Sequence, residues 1–237
     1  MQTLNWKPVP PPTPVTLRGR YVTLEPLDAG SHAVSLWRAV NGHDELWEFL
    51  PDGPYASVHE FHAAIASKQH SPGFRFLAVI PDAAGLAAAG EALAGQAAGY
   101  ASFMRIDAAN GAVEVGNILY TPALQRTRAA TEAMYLMARH IFEDLGYRRY
   151  EWKCNVLNEP SRRAALRLGF TFEGIFRQHM VVKDRNRDTA WFSMLDREWP
   201  ECKLAFETWL NPANFGSAGK QIRPLSDLRS SFRRPEN

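Results

Sequence analysis

The 237-residue chain reads as one mixed α/β domain, a sheet with helices on both faces. Three observations carry that reading. Segments with two-residue apolar alternation take turns with segments of helical apolar spacing, and strands interleaved with helices bury a sheet between two helical layers. Asn110-Gly111 is a strong hairpin turn, which puts at least one antiparallel pair into that sheet. The length suits one well-buried core with extensions better than two full domains.

The elements follow in order. Residues Met1 to Thr16 carry Pro8, Pro10, Pro11, Pro12 and Pro14, a composition for an extended arm. Such an arm lies on the body or on a partner subunit; a ligand for a proline-binding domain is the other reading. Tyr21 to Leu27 alternate as a first strand. Asp28 or Ser31 then caps a helix that turns Ala33, Leu36, Trp37 and Val40 inward and ends near Asn41-Gly42. His43 to Tyr55 is loop-like, Ser57 caps a second helix to about Gln69, and Phe74 to Ile80 is a strand. The alanine- and glycine-rich stretch Asp82 to Ala98 reads as a loose connection to a strand from Gly99 to Ile106.

After the hairpin turn, Val113, Val115, Asn117 and Leu119 alternate with Glu114, Gly116, Ile118 and Tyr120. Thr121-Pro122 ends this strand, because proline cannot continue a ladder. Ala130, Met134, Met137, Ile141 and Leu145 then follow helical spacing, with Gly146 as a left-handed stop. Arg149 to Cys154 is a strand, and Asn158 with Pro160 opens a helix that ends at Leu168-Gly169. Phe170 to Gly174 enters another strand, Thr189 to Leu195 is the last, and Glu201 begins a short helix. Beyond Gly216 the chain is polar and basic, and is expected to be mobile.

The loop Gln125 to Ala130 aims backbone amide hydrogens at one point, with a helix dipole behind them. That arrangement suits phosphate oxygens. Arg126 and Arg128 add cations, and arginine can grip a phosphate through parallel bonds. An ordinary exposed connection with solvated arginines fits the same pattern.

The run Ile118-Leu119-Tyr120, then Pro122, then Gln125-Arg126-Thr127-Arg128-Ala129-Ala130 resembles the cofactor-binding signature of the GNAT acyl-CoA N-acyltransferases. The tract from about Leu17 to Trp199 is similar to the branch containing the ribosomal-protein-alanine N-acetyltransferases. The resemblance implies a mostly antiparallel sheet whose fourth and fifth strands splay apart, here the strand ending at Tyr120 and the strand Arg149 to Cys154. It implies acetyl-CoA as co-substrate, held by Ile118, Leu119, Tyr120, Gln125, Arg126, Thr127, Arg128, Ala129, Ala130, Thr131 and Asn158, with an amide near Leu119 or Tyr120 donating to the thioester oxygen. This chain departs from the family at two points. Arg128 replaces a glycine, so either the loop avoids positive φ there or the arginine offsets the strain through the diphosphate. Ala165 stands where many members place a proton-donating tyrosine, and Ser161 is the hydroxyl offered in its place.

Acyl transfer to an amine requires a neutral amine, and the burden depends on the acceptor. An α-amine with a pKa of about 8 is already roughly a tenth to a third neutral at cellular pH, whereas a lysine amine costs about 4 kcal/mol to deprotonate. Glu114 is the candidate base, working through water; a solvated glutamate on an exposed strand face is the competing reading, and a bulge would decide its side. Asn158 and Ser161 can equally satisfy the free amides of their own helix. Trp37, Trp47, Phe49 and Tyr55, with His43, Asp44 and Glu45, either line an acceptor pocket or pack a core. His59 and His62 share a helix face without a third ligand, so no metal is expected.

A net charge of +2 gives no reason to expect nucleic acid or a membrane surface as partner. Only the basic tail from Lys220 to Arg234 would serve the former. Cys154 and Cys202 lack metal spacing, and no leader or long apolar run is evident, so a cytoplasmic protein with reduced thiols is expected. The expected partners are acetyl-CoA, an amine acceptor and, as an open option, a second copy of the chain. Arg128 and Ala165 also motivate a different class of function, a non-catalytic acyl-CoA-binding or sensing module.

Overall fold

The computed structural model describes residues 5–217 and 219–232. Short polar side chains start the helices as the sequence indicates. Asp28 accepts from the Ser31 amide at 2.8 Å and opens α1 (Ala29–Val40). Ser57 accepts from the Glu60 amide at 3.2 Å and opens α2 (Val58–Gln69). Thr127 caps α3 (Arg128–Arg139), which runs on through a π turn at His140–Asp144 and stops at Gly146, φ 72°. Asn158 caps α4 (Glu159–Leu168), and Trp199-Pro200 begins α5 (Trp199–Leu210).

The strands are β1 (Leu17–Arg18), β2 (Val22–Pro26), β3 (Arg75–Pro81), β4 (Gly99–Asp107), β5 (Ala112–Tyr120), β6 (Arg149–Asn155), β7 (Thr171–Val182) and β8 (Arg185–Leu195). They form one sheet in the order β1-β2-β3-β4-β5-β6-β8-β7, antiparallel at every junction except β5 with β6. One face packs Tyr100, Leu119 and Phe76 against Leu36 of α1 and Phe61 and Ile65 of α2. The other packs Val79, Phe103, Val113 and Val115 against Ala133, Met137 and Ile141 of α3 and Phe206 of α5. Each large side chain fully buried in this way stabilises the fold by about 1.5–3 kcal/mol.

β5 carries a bulge. Tyr100 pairs with Leu119 and Ser102 with Gly116, so β5 uses one residue more than β4 over this stretch. Asn117 sits within it at φ 49°, a conformation asparagine tolerates better than most residues. Side-chain parity flips across it. Val113 and Val115 face α3, whereas Leu119 beyond the bulge faces α1 and α2. Glu114 and Gly116 therefore share the α1–α2 side of the sheet with Leu119. Arg105, at φ 46°, lies in a second irregularity between Met104 and Asp107 on the facing strand.

The structure departs from the sequence expectations chiefly at the ends of the chain. β1 is too short to show a period. The mobile tail expected beyond Gly216 is corrected over α6 (Leu225–Phe232). This helix buries Leu225 and Leu228 against α5 and α4, and Arg229 donates to the Leu166 carbonyl at 2.7 Å. Those leucines are spaced i, i+3, a weak helical signal that the surrounding charge obscures. Arg233 and Arg234 of the basic tail lie outside the described residues, as do Met1 to Leu4 of the N-terminal arm. The rest of that arm lies on the body: the Trp6 indole donates to the Ala109 carbonyl at 2.7 Å, and Arg75 donates to the Pro12 carbonyl at 3.0 Å.

Candidate active site

β5 and β6 pair only from Ala112 with Arg149 to Val115 with Trp152. Beyond that point the bulge turns β5 aside, and Ile118, Leu119 and Tyr120 run on without a β6 partner. The result is a splay between β5 and β6, and its β5 side presents backbone amides and carbonyls that no strand satisfies. The end of β6, Cys154 and Asn155, forms the other side.

The loop at the head of the splay is braced by its own side chains. Thr121 donates to the Ala98 carbonyl at 2.8 Å, and Gln125 donates to the Tyr120 carbonyl at 2.9 Å. Thr127 donates to the Leu124 carbonyl at 2.7 Å and accepts from the Ala130 amide at 3.1 Å. With those bonds made, the amides of Arg126, Thr127, Arg128 and Ala129 find no acceptor among the described residues. They gather at the positive end of α3, an anion-binding arrangement.

Positive φ falls at Arg126, 61°, and not at Arg128, which already belongs to the first turn of α3. Of the two readings offered for the missing glycine, the loop avoids the strained conformation. The Arg128 guanidinium stacks on the rings of Tyr21, 5.2 Å away, and Phe215, 4.7 Å away. It thereby fastens the segment after α5 to the body, and exposed Arg126 is the loop cation without a partner among the described residues. Arg128→Ala is expected to lower the melting temperature by about 2–8 °C, as two cation–π contacts together worth about 1–2 kcal/mol are lost. An unchanged melting curve would contradict this fastening role.

Other residues of the expected cofactor set serve the frame. Ala129 packs on Gly85, and Ala130 is buried. Thr131 accepts from Arg167 at 3.2 Å and so links α3 to α4. The Tyr120 hydroxyl lies 3.5 Å from the Ala130 carbonyl, and burial pushes its pKa far up. Asn158 uses its carbonyl oxygen to accept the Ser161 amide at 3.0 Å. The Ser161 hydroxyl accepts from the Trp152 indole at 3.0 Å, and burial raises the pKa of the Cys154 thiol on the same strand as Trp152. Ser161 is thus both part of the cap turn and next to the inner wall of the splay. Ala165 is fully buried, so no hydroxyl approaches from that turn of α4.

Glu114 is not the solvated glutamate of the competing reading; it is 2% exposed. Its Oε2 accepts from Arg105 at 2.8 Å and from Lys153 at 3.0 Å. Lys153 also reaches Glu151 at 2.7 Å and lies 3.8 Å from the centre of the Trp191 ring. Arg149 bridges Glu151 and Glu173, each at 2.6 Å. Glu114 Oε1 bears no cation and lies beside Gly116 at the bulge. Sequence reasoning passed over Arg105, Lys153 and Trp191. Arg149, Glu151 and Lys153 do alternate on one face of an interior strand, and that charged stripe was the available signal.

The early aromatics divide between core and rim. Trp47 is buried against Tyr55 and Phe61, at 5.2 and 6.1 Å, and so packs the core under α1 and α2. Its carbonyl accepts from Lys183 at 2.8 Å, which ties the β7–β8 turn to the α1–α2 loop across the splay. His43 and Glu45 bond to each other at 3.1 Å on the outer rim. Among the described residues no cluster of His, Cys, Asp or Glu could hold a metal, and no helix is long and apolar enough to cross a membrane.

Comparison with known proteins agrees with this geometry. A sequence model described as an acetyltransferase (GNAT) domain matches residues 22–171. The crystal structure of a GCN5-related N-acetyltransferase from Brucella melitensis is 47% identical, with a TM-score of 0.89 over 95% of this chain and 99% of that one. That of a probable GNAT-family acetyltransferase from Chromobacterium violaceum ATCC 12472 is 40% identical, with a TM-score of 0.75 over 84% and 96%. A Bacillus subtilis (strain 168) protein named "Putative ribosomal N-acetyltransferase YdaF" is 30% identical over 105 residues, 44% of this chain and 57% of that protein. None of these likenesses supports the non-catalytic alternative. With the family match running from β2 through the splay to the start of β7, the chain belongs to the GNAT family and is an N-acetyltransferase.

Proposed function

We propose that the protein transfers an acetyl group from acetyl-CoA to a primary amine, on a protein N-terminus or a small molecule, by direct attack on the thioester. One observation carries this reading: β5 and β6 part directly behind a loop whose amides from Arg126 to Ala129 have no acceptor among the described residues. A diphosphate joined to an extended, amide-bearing arm matches those two features in sequence. Acetyl-CoA supplies the activated acyl group when bound.

The chain's own residues supply binding, orientation and proton transfer. The amides of Arg126 to Ala129 bind the diphosphate, Arg126 adds its charge, and Gln125 and Thr127 keep the loop in shape. The unpaired edge from Ile118 to Tyr120 holds the arm, and an amide at Leu119 or Tyr120 stabilises negative charge on the carbonyl oxygen. Asn158 presents its side-chain amide to the same arm. Ser161 gives a proton to the departing thiolate. Glu114 takes the amine's proton through water at Oε1, since Oε2 is engaged by two cations. An α-amine, already roughly a tenth to a third neutral at cellular pH, asks less of this base than a lysine amine does. The name of the B. subtilis relative, a ribosomal N-acetyltransferase, is in line with a protein acceptor.

Calorimetry with acetyl-CoA, followed by thiol-release assays on α-amine and lysine side-chain acceptors, tests this reading. Saturable binding and thiol release with the α-amines are expected. Absence of acetyl-CoA binding at millimolar ligand would end it.

A further inference from the structure

Of the β4 to β8 cations without an ion pair among the described residues, Arg177, Arg185 and Arg187, only Arg187 is partly buried. Glu114 is held by Arg105 and Lys153, Glu151 by Lys153 and Arg149, and Glu173 by Arg149. Arg187 forms no ion pair or hydrogen bond among the described residues, and its Nε is buried without an acceptor. Farther along the same face of β8, the Trp191 indole nitrogen is likewise buried without an acceptor. Leaving such donors unmade is costly, more so where the group is charged.

Their place in the fold gives the donors a use. Thr189 pairs with Asn155 at the end of β6, so Arg187 stands just beyond that end, at the mouth of the splay. It lies within electrostatic reach of Glu114, Arg105 and Cys154, and its own burial lowers its pKa. Other groups on these strands do not neutralise it. His179 bonds Thr189 at 3.0 Å, and burial first, then Arg105, Arg187 and Lys153, lower its pKa. Asp188 accepts from the Gln178 amide at 2.7 Å and from Asn186 at 3.0 Å.

We propose that Arg187, with the Trp191 indole farther along the same face of β8, receives a carboxylate carried by the acceptor, so that the preferred acceptors are amines with an acidic group close to the reacting nitrogen. The inference rests on the acetyl-transfer reading above and adds the acceptor's class to it. A single partly buried surplus positive charge matches a single carboxylate. A phosphate dianion would need a second cation, and Arg105, Lys153 and Arg149 are already paired. The planar guanidinium fork and the indole N–H also suit the coplanar oxygens of a carboxylate.

The test pairs Ala-Glu-amide with Ala-Gln-amide, and Ala-Asp-amide with Ala-Asn-amide, under saturating acetyl-CoA with thiol release as readout. The acidic member of each pair is expected to have a kcat/KM higher by about tenfold or more. Arg187→Gln should bring the ratio close to one, and Arg187→Lys should keep part of it. Calorimetric titration of the same peptides reads the pairing without turnover, so a failure of acetyl transfer is distinguishable from a failure of carboxylate recognition. Equal constants in the unmodified protein, or a preference that survives Arg187→Gln, would overturn the proposal. So would an Arg187-dependent preference for succinyl-CoA over acetyl-CoA, which would put the carboxylate on the acyl group instead.

Discussion

Glu114→Gln is expected to reduce unfolding free energy by about 3 kcal/mol and to slow acetyl transfer by about a hundredfold. The stability loss follows from burial. Glu114 and Lys153 are almost wholly withdrawn from water, and the carboxylate is the shared partner of Lys153 and Arg105. An amide in its place can still accept one hydrogen bond but leaves positive charge uncompensated. Lys153 retains Glu151 and Arg105 is partly exposed, which holds the cost at the low end for a broken buried pair. In a chain of this size the loss corresponds to a fall in melting temperature of about 6–12 °C. The rate loss has a separate origin, the proton acceptor at Oε1. The double variant Glu114→Gln/Lys153→Met separates the two, because replacing both members of a buried pair with uncharged groups can be nearly neutral. Melting temperature should then recover while turnover stays low. Recovery of turnover along with stability would reduce Glu114 to a member of the scaffold.

Much of the fold was readable because its signals are local. Asp28, Ser57 and Asn158 each cap the helix they announce, since a short polar side chain reaches only the amides of its own first turn. Asn110-Gly111 closes the β4–β5 hairpin, with Gly111 at φ 62°. The active site was less readable because its parts meet through the sheet. The bulge at Asn117 decides which face Glu114 shares, and nothing in an alternating run marks where one extra residue will be absorbed. Arg105, Lys153 and Arg187 stand far apart in the chain and converge only when β4, β5, β6 and β8 are laid side by side. Arg128 misled in the opposite direction. A basic residue at a phosphate-binding loop suggests a phosphate contact, yet its side chain found Tyr21 and Phe215 from distant segments. The amides of the loop are a property of backbone and cap, and those the sequence could specify.

Arg126→Glu is expected to weaken acetyl-CoA binding by about 10–100-fold, with a much smaller effect on turnover at saturating cofactor. Arg126 is exposed and unpartnered among the described residues, and it is the first in the run of amides without acceptors. Reversing its charge within a few ångströms of a diphosphate changes the interaction by about 1–3 kcal/mol once solvent screening is allowed for, and 1.4 kcal/mol is tenfold in affinity. The same screening predicts that affinity falls as salt is raised in the unmodified protein and less steeply in the variant. A companion substitution exploits the backbone. Arg126→Gly removes the charge but also suits the φ of 61° that arginine adopts at a cost of about 1 kcal/mol. It should therefore raise the melting temperature while weakening acetyl-CoA, two opposite signs from one change. Tighter binding by Arg126→Gly, or no loss of affinity in Arg126→Glu, would mean that the diphosphate is held somewhere other than the head of α3.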